Sequence, residues 1–231
     1  MDALLSELRE LLATARLSLE PEGDGYQLIT ERGPRRLDTL PLDGVDLAAR
    51  RAELMAVASG LEAAVKIGAP VEDSDFVVGA TNLLPQLERT RFVTAYNAAC
   101  EGDPLVHRDL GADLCVVYVR DAGWRFHYVG QAQRARWDVS EGTVDAGARS
   151  NLYHRAEVPY RATEIALGDG YDASRLLLAN EVFYQLDTGD GVAMAAPGRD
   201  LLLIGEGVEA CAARYAEASL ERTHRWEARC R

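Results

Sequence analysis

Four aspartates in the last third of the chain have the types and spacing that most readily suggest chemistry. Asp169 and Asp172 lie in Gly168-Asp169-Gly170-Tyr171-Asp172, and Asp187 and Asp190 in Asp187-Thr188-Gly189-Asp190-Gly191. Suppose the apolar run ending near Leu178 passes through a short helix at Glu181 to a parallel strand at Val192. Both turns would then sit at one end of a sheet and the four carboxylates would gather. Such a set suits a hard cation, Ca2+ or Mg2+, although the second stretch echoes an EF-hand loop only faintly, with Gly where an oxygen ligand belongs. The first turn also offers a ligand or partner site built from Asp169, Tyr171, Asp172 and Asn151. Arg199, in Pro197-Gly198-Arg199-Asp200, would join it only if the two hairpins pair directly. By residue type, an Asp172–Arg199 contact reads as a structural ion pair before a catalytic one, and Tyr171 as an aromatic plug over the sheet.

Plain turn chemistry competes with both readings. Gly-Asp-Gly occurs three times, at Gly23, Gly168 and Gly189, and Asp-Gly is a strong turn dipeptide because both positions accept positive φ. Gly205-Glu206-Gly207-Val208-Glu209-Ala210 has the letters of a dinucleotide fingerprint. Its physics fails, because Glu206 and Glu209 would face a pyrophosphate that needs donors. The histidines His107, His127, His154 and His224 have no zinc-site spacing. His127, placed on the polar face of its strand, is the one worth testing. Ser174 lacks a nucleophile elbow, and Cys115 lies in an apolar strand that disfavours a thiolate. No catalytic constellation emerges, and the chain reads as leaning away from an enzyme.

The elements that must position these residues follow from periodicity. Ala3 to Arg16 and Val45 to Val65 carry apolar residues at helical spacing. Between them Tyr26 to Thr30 and Arg36 to Leu40 read as a small hairpin. Thr81 to Leu87 and Thr90 to Ala99 read as short helices, and Gly102-Asp103-Pro104 as a loop and a candidate boundary. The run Leu114 to Val119 predicts a central strand covered on both faces. The alternation of Trp124, Phe126 and Tyr128 with Arg125 and His127 predicts a half-exposed one. Helices are expected over Gln131 to Trp137 and Glu141 to Ala156. Hairpins are expected over Tyr160 to Leu178 and Val192 to Ile204, with a final amphipathic helix from Val208 to Arg222. The expected class is α+β: an antiparallel-rich mixed sheet with flanking helices, the C-terminal helix packed on it. Residues 1–102 form a helical and hairpin region, separate from or continuous with an α+β domain over 103–231.

Composition bounds the partners. A net charge of −12 over 231 residues repels phosphate backbones, which argues against nucleic acid and anionic membranes. No apolar run approaches the roughly 18–20 residues that span a bilayer. The acidic start Met1-Asp2-Ala3 is unlike a secretory n-region, and the four cysteines show no C-x-x-C spacing, as expected of reduced thiols in the cytoplasm.

Several blocks, in order, resemble the YtpQ-like proteins, an uncharacterised bacterial family. They are Pro104-Leu105-Val106, Asp113-Leu114 with Val116 to Val119, Ala148 to Leu152, Gly168 to Leu178 (GDGYDASRLLL) and Pro197 to Ile204 (PGRDLLLI). The likeness covers about residues 91–204 and implies a cytoplasmic α+β domain without implying catalytic residues. The sequence thus points to a non-catalytic cytoplasmic protein that binds another protein through its acidic surface or an exposed hydrophobic face, with Trp124 and Trp137 read as surface aromatics. No cofactor is expected. The alternative is an enzyme, or a small-ligand or divalent-metal binder, with a pocket near Gly168 to Asp172.

Overall fold

The computed structural model describes residues 2–46, 49–66, 75–100, 102–111, 113–122, 126–155, 164–178, 194–198 and 200–205. They form six α-helices, one 3-10 helix and ten strands, and the strand pairings among them are antiparallel. The α+β class and antiparallel-rich sheets stand. The expected helix at Glu181 and the C-terminal helix lie outside the described residues. The contacts divide the chain into two compact units, residues 1–83 with 88–145, and residues 84–87 with 146–231.

The first unit begins with helix α1 (Asp2–Thr14), whose Leu8 and Leu12 are fully buried. A three-stranded meander comes next: β1 (Ser18–Glu22), β2 (Gly25–Thr30) and β3 (Gly33–Leu37). The sequence indicated the second and third strands but not β1, because Pro21 and two glutamates mask it. Pro21 is tolerated because β1 pairs through one edge only, with β2, and an edge strand need not donate every N–H. Leu19, Leu28 and Leu37, one from each strand, meet Leu8, Leu12, Leu54, Val57 and Leu61 in one apolar core.

Helix α2 (Arg50–Lys66) packs on α4 (Thr90–Ala99) at short range because Gly60 faces it; a Cβ there would collide with the Phe92 carbonyl oxygen. Arg91 of α4 reaches back to the first turn of α2 and to the chain before it. Its guanidinium pairs with Glu53 at 2.7 Å and donates to the carbonyls of Pro41 and Asp43 at 2.7 and 3.0 Å. Between these helices lie the short α3 (Phe76–Ala80) and strand β4 (Leu83–Arg89). The helix expected over Thr81 to Leu87 is therefore a strand. Leu83 through Gln86 are four consecutive buried residues, a pattern that a helix with one wet face cannot provide. Pro85 would also have broken it.

Strand β6 (Leu114–Asp121) is buried from Cys115 to Val119, as its apolar run requires, and pairs with β5 (His107–Gly111) and β7 (Phe126–Tyr128). Phe92, Tyr96 and Tyr128 pack ring against ring at 5.4–6.5 Å. This aromatic cluster ties the chain before Gly102 to the chain after it. Gly102 thus lies inside the first unit.

The neighbouring Asp103 also has a structural task. Helix α5 (Gln131–Trp137) has Gly130 at its N-cap, which has no side chain to offer, and Asp103 supplies the missing acceptor to Ala132 N at 2.7 Å. His127 and Trp137 are buried, 8% and 5% exposed, contrary to the polar-face and surface-aromatic expectations. The other face of β7 is covered as well, and Trp137 lies beneath Gly79 of α3. Trp124 is outside the described residues.

Helix α6 (Glu141–Arg155) starts in the first unit and continues into the second. In the second unit β8 (Glu164–Ile165) and β9 (Met194–Gly198) flank β10 (Leu201–Ile204) in a three-stranded sheet. The second expected hairpin is β9–β10. The first is corrected: after β8 the chain bends at Gly168–Gly170 and enters a 3-10 helix, Ala173–Leu178, instead of a strand. Among the described residues no helix is long and apolar enough to cross a membrane.

Candidate functional site

The bend at Gly168 has to turn the chain back within a few residues. Gly168 and Gly170 do so at φ 72° and 81°, where a side chain would be strained. Asp169, between them, closes a small local turn by accepting the Tyr171 N–H at 3.0 Å, and Asp172 accepts the Gly168 N–H at 3.0 Å. Turn chemistry therefore accounts for the first hydrogen bonds of both aspartates.

Their second partner, Arg175, was not apparent in the sequence. Asp172 opens the 3-10 helix, its carbonyl accepting the Arg175 N–H at 3.2 Å, and residues at i and i+3 of a 3-10 turn lie on one side, which brings Asp172 and Arg175 together. Arg175 Nη1 donates to Asp172 Oδ1 at 3.0 Å and to Asp169 Oδ1 at 3.0 Å, while Nη2 donates to Asp169 Oδ2 at 2.8 Å. Arg175 and Asp172 are both fully buried. An extended strand would place Asp172 and Arg175 on opposite faces, so this pair accounts for the 3-10 conformation of an otherwise strand-like run. The neighbouring Ser174, 1% exposed, accepts the Leu87 N–H at 3.1 Å and so serves as a fixed hydrogen-bond acceptor.

A second arginine meets the cluster from α6. Arg155 Nε lies 3.3 Å from Asp169 Oδ2, and its guanidinium sits 4.9 Å from the centre of the Tyr171 ring. Tyr171 is buried, consistent with the aromatic-plug reading, and the plug is closed by a cation. Asn151 is one turn earlier on α6 and half-buried. The structure thus brings Asp169, Asp172 and Tyr171 together and adds Arg155 and Arg175. Arg199, Asp187 and Asp190 lie outside the described residues. Among the described residues the arginine that meets Asp172 is Arg175, three residues on.

Electrostatics separate the two aspartates. Burial disfavours the charge of Asp169, but the hydrogen bonds from Arg175 and the Tyr171 N–H, with the charges of Arg175 and Arg155, hold its pKa below the ordinary value. Burial pushes the Asp172 carboxyl up. The Leu167 and Gly168 N–H groups and Arg175 oppose that rise, and the nearby Asp169 charge adds to it. The cation held between these carboxylates is a guanidinium, with its donors directed at their oxygens. Among the described residues no group of three or more His, Cys, Asp or Glu side chains gathers to hold a metal. Chemically, the cluster is a set of mutually satisfied charges that locks a turn, with Asp169 and Arg155 as its wetter edge, 18% and 34% exposed.

Other reactive side chains are similarly occupied. Burial pushes the Cys115 thiol to about 12, so it is neutral within its strand. Tyr118 donates to Asp145 Oδ1 at 2.9 Å, and Arg108 lies 3.3 Å from the same oxygen. Burial and that carboxylate push the Tyr118 phenol upward. No family model, curated protein or solved structure matches the chain.

The sequence did contain a signal for the missed arginine. In Asp-Ala-Ser-Arg-Leu-Leu-Leu, residues 172–178, a charge interrupts an apolar run three residues after an aspartate. A buried arginine must find an anion, and the i, i+3 spacing supplies one.

Proposed function

We propose that this chain is a non-catalytic protein-binding module of the bacterial cytoplasm, adaptor or regulatory in role. The observation that carries the reading is an exposed apolar pair on a fixed support. Val77 and Val78 of α3 are 77% and 58% exposed. Asp75 caps the helix by accepting the Val77 N–H at 2.8 Å, and Phe76 packs edge-on against Trp137 with ring centres 5.4 Å apart. Two adjacent exposed β-branched residues, stiff at χ1, give a partner apolar area at little side-chain entropic cost. The hydrophobic contact thus rests on α3, while Trp137 acts as its support.

The charge of −12 favours a partner with a basic rim and disfavours nucleic acid and anionic membranes. An enzyme, or a small-ligand or divalent-metal binder, built on Gly168 to Asp172 is the less favoured reading, because Arg175 pairs with both carboxylates from within the fold. The ordered blocks over residues 91–204 keep the YtpQ-like family as the proposed kinship.

The test is capture of partners on immobilised protein, wild type beside the double variant Val77→Asp, Val78→Asp, at low and high salt. The expected result is a stoichiometric protein partner that wild type retains, the variant loses, and high salt weakens through screening. Retention of the same partner by the variant, or of no protein by either, overturns the reading.

A further inference from the structure

We draw no further inference here: the strongest candidate, the indole N–H of Trp137 buried beneath the short helix α3 without an acceptor among the described residues, lies under the surface already described, and nothing in the structure shows what covers that surface.

Discussion

At the scale of single residues, Arg175 matters most to the second unit. Its guanidinium is the only fully buried cation between two carboxylates among the described residues, and removing one member of such a network strands the others. Arg175→Met is expected to lower the unfolding free energy by about 3–5 kcal/mol, measured as a fall in the urea midpoint. Adding Asp172→Asn should recover part of that loss, since no fully buried carboxylate is then left unpaired. A single variant as stable as wild type would show the network to be energetically idle. Asp169 makes a pH-dependent contribution whose sign follows from its partners. Its folded pKa is depressed, so its stabilisation is fully present above the ordinary aspartate value of about 3.9 and is lost as pH falls through the lower folded value. Asp172 is shifted upward, partly by the Asp169 charge, and works in the opposite sense, so the comparison is made with Asp172→Asn in both proteins to remove its titration. The stability gap between Asp172→Asn and the double variant Asp169→Asn, Asp172→Asn is therefore expected to be flat above about pH 5 and to close below about pH 4. Urea titrations from neutral to acid pH measure it, and a gap that persists unchanged in acid contradicts the assignment.

At the scale of elements, the contact between α2 and α4 depends on a missing side chain. Ala at Gly60 would favour the helix by about 1 kcal/mol on propensity alone. Its Cβ would, however, meet the Phe92 carbonyl, a backbone atom that cannot rotate away. Overpacking of that kind costs about 1–3 kcal/mol, so the steric effect wins. Gly60→Ala is expected to lower the melting temperature; an unchanged or higher value would mean that the two helices separate freely. The same scale explains the misread elements. Periodicity ranks a segment by its own pattern, but β4 and the 3-10 helix are decided by what covers them. Pro85 marked the first as non-helical, and the aspartate–arginine spacing marked the second as non-extended. Both signals are single residues, easily outweighed by runs of leucine.

At the scale of the whole molecule, the second unit is discontinuous. It takes Leu84–Leu87 from within the sequence of the first, and Leu87 donates to the buried Ser174. A fragment beginning at Ala146 lacks that strand centre and should leave Ser174 without its donor and apolar surface uncovered. Such a fragment is expected to show no cooperative thermal transition by circular dichroism, where the full chain shows one. Cooperative melting of the fragment alone would mean that Leu84–Leu87 is dispensable to it.

The sequence by itself determined the α+β class, the helices α1, α2, α4, α5 and α6, the buried strand β6, the β9–β10 hairpin and the turn that carries Asp169, Tyr171 and Asp172. These are local matters: side-chain period, turn dipeptides and short separations along the chain. Only the tertiary structure decided that Asp103 caps α5, that His127 and Trp137 are covered, and that Arg175 and Arg155 neutralise the aspartates. Each depends on which surfaces meet. A charge or an aromatic ring has the same identity in water as in a core, and only its neighbours decide whether it binds a partner or holds the fold together.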